Sequence, residues 1–538
     1  MSRWAQAAPY LIALLFVLLG CALIPYAGIE GDEALFGWPI YGLHNRAFEI
    51  TIFHRQLPLM VFPYIGSLKT FLCWPVLKLF GPNAWAVRLP VALIGGLTVI
   101  VFYRWMERMA GFRAAVAASL LLACDPSFIL TDTFDWGPVA IEHLLLVCAC
   151  LAIVSGRLTL GSFCLGFALW NKAVFVWALV GLSAGVLAVY SPELRRVVAD
   201  RRTIARCMAA FVIAALPLIV YNMHSPNATA QANIHPSFAG FGNKLISLRN
   251  TLDGADLFNV IAAMDSEGSP KTPHSLPGRV ACAIALATGR HEHDLFLYGL
   301  ILALLCAPLW WRSPGRRVAL FAIVFSVAAF LAMASLRYTG AAHHIVLLYP
   351  MPHALLGIAL STFRPSRLGA SLLAVLVLAN LLVVNQYIVQ LERFGAYGLF
   401  TDALNPLASC ACNAAGKTLY AIDLGIRDSL NLTCAGRQHL DREWMIPQTP
   451  APEIQAMIAD PNGLILNRTP GSEYFKGATD RLNAAARDAG YTRQLLATIG
   501  DSNGRAQFEV FRFVRAESAA APLAEEVVAS ALPAFEYR

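Results

Sequence analysis

Two acidic turns carry the residue types that could take a proton from a hydroxyl group. The first is Gly31-Asp32-Glu33-Ala34, which follows an apolar run ending near Tyr26. The second is Thr131-Asp132-Thr133-Phe134-Asp135-Trp136-Gly137-Pro138, set between two further apolar runs. Carboxylates at the edge of an apolar segment are costly unless they are solvated, paired or used. The plain alternatives are solvated loop acids in the first turn and a helix cap in the second, because Asp stabilises a helix N-terminus. Both turns sit at span ends on one face of the topology derived below, which favours a shared site.

The cations that would complement them are few. Lys172, in Leu169-Trp170-Asn171-Lys172-Ala173, interrupts what would otherwise be one long apolar segment. It either snorkels to the interface or faces outward as a phosphate ligand. Arg88 and Arg337, each at the outer end of an apolar run, have the same two alternatives. The run His291-Glu292-His293-Asp294 contains metal-ligand types, but i and i+2 spacing suits a strand or loop and this run leads into a helix. His343 and His344 are either interfacial polar residues or ligands. No nucleotide-binding glycine loop, zinc-protease motif or serine-nucleophile motif is present, so a nucleotide or nucleotide-sugar site has no support.

The elements that must position these residues are membrane helices. Of 538 residues, 57% are hydrophobic and 14% charged, whereas a soluble domain carries about a quarter charged residues. The apolar residues come in uninterrupted runs of the length that crosses a bilayer. Eleven spans are expected near 9–26, 86–103, 114–130, 139–154, 158–170, 173–190, 207–221, 295–311, 318–336, 345–362 and 368–387. The first is read as a retained helix rather than a signal peptide, and the fifth is short enough to be tilted or capped by re-entrant backbone. Alternate connections hold the arginines: Arg104, Arg108 and Arg113, then Arg157, then the cluster from Arg195 to Arg206, then Arg312 to Arg317, then Arg364 and Arg367. By the positive-inside rule that side is cytoplasmic. The net charge of +7 is therefore topological, and no nucleic-acid partner is expected.

This gives a mainly α protein: a transmembrane helical bundle over 1–388 with outward loops 28–83 and 222–294, and a small α/β domain over 389–538 on the outer side. In that domain 463–467 and 507–514 read as strands and 478–489 as a helix, while the Ala- and Glu-rich end after Ala516 reads as frayed. Nine of the twelve cysteines lie in or beside apolar segments, where a thiol is an ordinary small apolar residue. The remaining three, Cys410, Cys412 and Cys434, lie in the outer domain; a disulfide from Cys434 to either of the others is favoured over free thiols or a zinc site with His439.

In order along the chain, Asp32-Glu33, Arg55-Gln56-Leu57-Pro58-Leu59, Leu79-Phe80-Gly81-Pro82, Arg88-Leu89-Pro90, Gly111 with Arg113-Ala114-Ala115, Asp125-Pro126, Asp132 and the stretch from Ala168 to Lys172 resemble the glycosyltransferase C (GT-C) superfamily. The likeness is to its protein O-mannosyltransferase-like and aminoarabinose-transferase-like members, glycosyltransferase family 39 among them. Arg337-Tyr338 and the stretch from His344 to Pro350 resemble a later span of that family. The match is good over about 1–190, loose over 295–365 and nearly absent in the tail.

The resemblance implies an inverting transfer, on the outer face, of a hexosyl or pentosyl group from a polyprenyl-phosphate sugar to a hydroxyl of an envelope lipid, glycan or protein. Asp32 matches the family's catalytic base, with Glu33 supporting it and Asp132 at the second acidic position. Lys172 is the first choice for the donor phosphate, followed by Lys69, Arg88 and Arg337. Asp135, His54 and His344 are candidate substrate contacts. No cofactor or bound metal is expected, since the lipid-linked sugar is a substrate, although a divalent metal stays open. The implied setting is a bacterial inner membrane, crossed many times, with the N-terminus cytoplasmic and the C-terminal domain periplasmic. A transporter or flippase of a lipid-linked glycan is the rival; it calls for a midplane site in repeated halves, and neither is visible in the sequence.

Overall fold

The computed structural model describes residues 3–41, 47–264 and 270–516, so the end after Ala516 lies outside the described residues. The first apolar run forms α1 (Arg3–Leu23), and the first acidic turn is a single helical turn, α2 (Gly31–Ala34). The first outward loop carries more structure than its sequence signals. Strands β1 (Phe48–Ile52), β2 (Arg55–Phe62) and β3 (Ile65–Gly66) form an antiparallel sheet, followed by α3 (Leu68–Phe80). The bundle continues with α4 (Ala84–Ala110), α5 (Phe112–Cys124), α6 (Pro126–Phe134), α7 (Val139–Val154) and α8 (Leu158–Asn171).

Local chemistry sets these ends. Asn83 caps α4, its side-chain oxygen accepting from the Ala86 N–H at 3.0 Å. Between α5 and α6 the axis turns by 61° at Asp125-Pro126. Pro126 has no N–H to continue the ladder, and the Asp125 carboxylate caps the restarted helix at the Phe128 N–H, 2.9 Å away.

Every expected span contains helix, but the count of eleven is not reproduced. Among the described residues, five helices are long and apolar enough to cross a bilayer, or up to eight spans if three bent pairs each cross once. The segment expected to span 295–311 is two pieces, Phe296–Leu305 and Ala307–Trp310, because Pro308 in the second piece interrupts the hydrogen-bond ladder. The fourth and fifth expected spans are the shorter helices α7 and α8. The middle loop contains an apolar helix, Leu276–Thr288, that its sequence was read without.

The last long helix, Ser366–Phe394, runs beyond residue 388, the expected domain boundary, and stops where Gly395 turns left-handed at φ 80°. The tail then forms a four-stranded sheet in the order β4 (Thr418–Ala421), β5 (Gly463–Arg468), β7 (Ala506–Arg515), β6 (Tyr491–Gly500). The β4–β5 pair is parallel and the others are antiparallel. Of the alternatives left by sequence, Cys412 is the partner of Cys434, while Cys410 keeps its thiol and His439 pairs with Asp441 at 2.9 Å.

The bridge closes 22 residues of chain separation around the helix Ile426–Thr433. Cys434→Ser is expected to destabilise this corner of the tail by about 3 kcal/mol, the loop-closure contribution for a loop of that size. Hydrogen–deuterium exchange of 404–434 is expected to rise in the variant, and unchanged exchange would contradict the assignment.

Candidate active site

The two acids of the first turn have different fates. Glu33 is buried and receives two hydrogen bonds from Arg88, from Nε to Oε1 and from Nη2 to Oε2, both 2.7 Å. Arg88 also donates to the carbonyls of Ile24 at 2.9 Å, Ala27 at 2.8 Å and Gly28 at 2.6 Å. A guanidinium has five N–H groups, and these contacts engage all of them. Arg88, expected to meet a phosphate, instead ties α4 to the chain leaving α1, and Glu33 is held as its counter-ion. The Glu33 carboxylate also accepts from the Glu30 N–H at 3.1 Å, and Glu30 accepts from the Asp32 N–H at 2.6 Å, a reciprocal cap that sets the turn.

Asp32 is thereby left as the acid of this turn with a half-exposed side chain, and no hydrogen bond to its carboxylate is seen among the described residues. Its desolvated surroundings raise the carboxyl above its ordinary value; Lys172 and Lys69 pull it back down, and Asp428 and Asp135 push it further up. These five groups therefore share one neighbourhood. Asp428 comes from the tail: the helix Ile426–Thr433 packs on α2, and Ser429 Oγ donates to the Ile29 carbonyl at 2.6 Å.

The two lysines are held differently. Lys69, on α3, forms a buried ion pair with Asp135 at 2.6 Å. Burial pulls its ammonium down, but the Asp135 charge prevails and its value is raised. Asp135 takes a left-handed backbone (φ 45°, ψ 58°) at the end of α6, a conformation that a short polar side chain tolerates. Asp135, a candidate substrate contact in the sequence, is thus found paired with Lys69.

Lys172 is buried, and among the described residues no carboxylate lies within ion-pair distance of it. It stands where α8 unwinds, in extended backbone (φ −155°, ψ 118°). The outer sheet holds it there: Lys172 bridges to Ile65, and the Ala173 N–H donates to the Tyr64 carbonyl at 2.8 Å. Gly66 permits this approach, since a Cβ there would collide with the Trp170 carbonyl oxygen. On the other side, a Cβ on Gly137 would lie 2.6 Å from Lys172 Nζ, so the second acidic turn passes close to the cation, and its glycine takes a left-handed φ of 77°.

Asp132 points to a different partner. Its Oδ1 lies 2.9 Å from His143 Nδ1, and His143 Nε2 lies 2.7 Å from the Val346 carbonyl, all buried. A carbonyl only accepts, so Nε2 carries a proton, and a second proton is shared between Nδ1 and Asp132. This unit ties α6 to α7 and to the Val346 turn.

Other candidates separate. His54 occupies the exposed two-residue turn of the β1–β2 hairpin, with φ 60°, where it serves the turn and lies outside the cluster. Arg337 is exposed and lies over the Tyr338 ring, again outside the cluster. His344 does belong: its ring packs tilted against that of His343, which packs tilted against Trp136, and Lys172 is within electrostatic reach of both histidines. The His291–Asp294 run disperses, with His293 on Asp253 and Asp294 capping the next helix at the Phe296 N–H. The residue that sequence reasoning missed is Glu142, buried on α7 within electrostatic reach of Lys172. Its signal was an acid inside an apolar span, which is a functional pointer in itself.

Residues 68–221 match the family described as dolichyl-phosphate-mannose-protein mannosyltransferase. That stretch includes Lys69, Asp135, Glu142 and Lys172 and excludes Asp32. No curated protein matches the chain in sequence. Among solved structures, ArnT from Cupriavidus metallidurans bound to undecaprenyl phosphate is similar over 95% of this chain and 98% of its own, with 15% identity and a TM-score of 0.58. Its apo state gives 14% identity and a TM-score of 0.56, over 94% and 97%. The archaeal oligosaccharyltransferase AglB from Archaeoglobus fulgidus, in complex with an inhibitory peptide and a dolichol-phosphate, covers 98% of this chain with 77% of its own, at 11% identity and a TM-score of 0.50. At these identities the likeness is one of fold.

The Arg88–Glu33 geometry carries a direct expectation. Arg88→Ala strands a buried carboxylate and should lower stability by about 3–5 kcal/mol, whereas Arg88→Met with Glu33→Leu should recover much of that loss. Thermal unfolding of the detergent-solubilised variants measures both; equal destabilisation by the single and double changes would contradict the pairing role.

Proposed function

We propose that this chain, a multi-pass membrane protein with the fold of the GT-C glycosyltransferases, moves a sugar from polyprenyl phosphate to a hydroxyl of an envelope lipid, glycan or protein. The observation that carries this reading is the division of labour in α2: Glu33 is locked to Arg88, while Asp32 is half-exposed between two lysine fields. That arrangement suits a base facing a lipid-phosphate donor. The two similar structures solved with a polyprenyl phosphate support the donor class.

In the proposed reaction the acceptor oxygen attacks the anomeric carbon from the face opposite the phosphate, with inversion. The new carbon–oxygen bond forms as the bond to the phosphate oxygen breaks, the phosphate leaves with the electron pair, and Asp32 takes the acceptor proton. Lys172, uncompensated and buried, would face the charge that develops on the leaving phosphate, where a preorganised cation acts most strongly. Lys69 would act beside it, its position set by Asp135. The donor arrives already activated as a phosphate ester, so the reaction as proposed requires no cofactor. In this reading the site faces the periplasm of a bacterial inner membrane and the N-terminus is cytoplasmic, an orientation that the distribution of arginines supports.

Transfer of radiolabelled sugar from undecaprenyl-phosphate donors in membranes tests the assignment. Asp32→Asn should reduce transfer by about 10²–10⁴-fold, the usual contribution of a general base, at equal expression. Equal transfer by both proteins removes Asp32 from the role, and no transfer by wild type with any donor removes the reaction. The pH profile is a second check. The carboxyl of Asp32 is raised, so the rate should fall on acidification at a higher pH than for a free carboxylate. Asp428→Asn removes a like charge that raises Asp32, which lowers its value and should move the acid limb to lower pH; a shift upward or none at all would contradict the electrostatic assignment.

A further inference from the structure

Glu142 has no part in the scheme above, yet its burial demands an explanation. It is 1% exposed, and among the described residues neither Oε1 nor Oε2 has a hydrogen-bond partner. A carboxylate taken out of water and left unpaired costs several kcal/mol. Here it sits in an otherwise apolar helix expected to lie in the membrane. Its neighbours share the deficit. Asn171 donates its amide to the Pro138 carbonyl at 2.9 Å, one turn before Glu142 on α7, and its own Oδ1 has no partner. Nδ1 of His343 and of His344 are likewise buried and unpartnered among the described residues. Lys172 reaches all of these electrostatically except the neutral Asn171, which precedes it in the chain.

As an ionised carboxylate Glu142 offers acceptors only, and so does the Asn171 Oδ1. What satisfies them must bring several hydrogen-bond donors into one small space beside a cation. Hydrocarbon cannot do this, and neither can a fully ionised phosphate, which supplies further acceptors. A pyranose or furanose ring does, its hydroxyls displacing the water that meets such groups when no ligand is bound.

We propose that Glu142, assisted by the Asn171 carbonyl oxygen, binds the hydroxyls of the sugar being transferred, while Lys172 holds the phosphate that carries it. The inference rests on the transferase reading and deepens it: the sugar, as distinct from its lipid carrier, is recognised between α7 and the unwound end of α8. Trp136, its ring tilted against that of His343 with centroids 4.5 Å apart, adds to the same neighbourhood an aromatic surface of the kind that suits the apolar face of a sugar.

The experiment measures binding of two kinds of probe to the full-length protein in detergent: undecaprenyl phosphate, and undecaprenyl phosphate bearing mannose, glucose or 4-amino-arabinose. Wild type is compared with Glu142→Gln, which keeps the shape, and Glu142→Leu, which removes both acceptors. Thermal unfolding is recorded alongside. The expected result is a loss of about tenfold or more for the sugar-bearing probe that wild type prefers, with binding of undecaprenyl phosphate unchanged within about twofold. Equal loss for both probes would overturn the proposal and make Glu142 a counter-ion that acts only through Lys172. Unchanged binding of both would overturn it in favour of a structural role. If wild type binds no sugar-bearing probe better than the bare carrier, the transferase reading itself fails, and this inference fails with it.

Discussion

A single buried guanidinium organises the outer end of this bundle. Arg88 reaches from α4 into the turn after α1, where it meets three carbonyls and both oxygens of Glu33. A buried charge is tolerated only when it is paired and fully hydrogen-bonded, and here every donor has its acceptor. The consequence is geometrical. The chain leaving α1 cannot relax without orphaning a charge, so the turn that presents Asp32 is rigid although it is only one helical turn long. The Phe134 ring under the guanidinium, 4.6 Å away, extends the same constraint to α6 and the second acidic turn.

Charge is partitioned around that frame rather than simply accumulated. Glu33 balances Arg88, Asp135 balances Lys69, and Asp132 shares a proton with His143. Three carboxylates that look equivalent in sequence are thus neutralised in place. Asp32 and Lys172 remain without such partners among the described residues, and Glu142 lies beside the lysine. Groups that carry out chemistry need to be reachable and incompletely satisfied, and the pairs around them confine the electrostatic imbalance to one spot.

Much of this architecture is legible in the sequence. Apolar runs locate the helices, and α7 coincides with the run that predicts it, because a hydrocarbon solvent leaves helix as the economical way to satisfy the backbone. Asp125-Pro126 announces its own bend. Asp32 and Lys172 also draw attention in the sequence, since one closely follows an apolar run and the other interrupts one. Pairings between distant segments are not visible: nothing local in Arg88 says that Glu33, far back along the chain, absorbs it, and nothing in Asp135 points to Lys69. The first-loop sheet escapes notice because β2 contains Pro58, which argues against a strand, and its hairpin turn, Phe53-His54, lacks the usual glycine or asparagine. The tail's β4 is missed because four residues are too few to establish a period, and β6 because it does not alternate cleanly between buried and exposed positions. Glu142 is lost in an averaged hydropathy because one acid hardly dents a run of leucine and valine.

The strand-like pairing of Ile65 with Lys172 also bears on how the molecule is made. The lysine's place is dictated by an extramembrane sheet and not by the helix that carries it, and the two segments leave the ribosome far apart in time. The helices can insert one after another, but the cation acquires its final address only once the first outer loop has folded and found the end of α8.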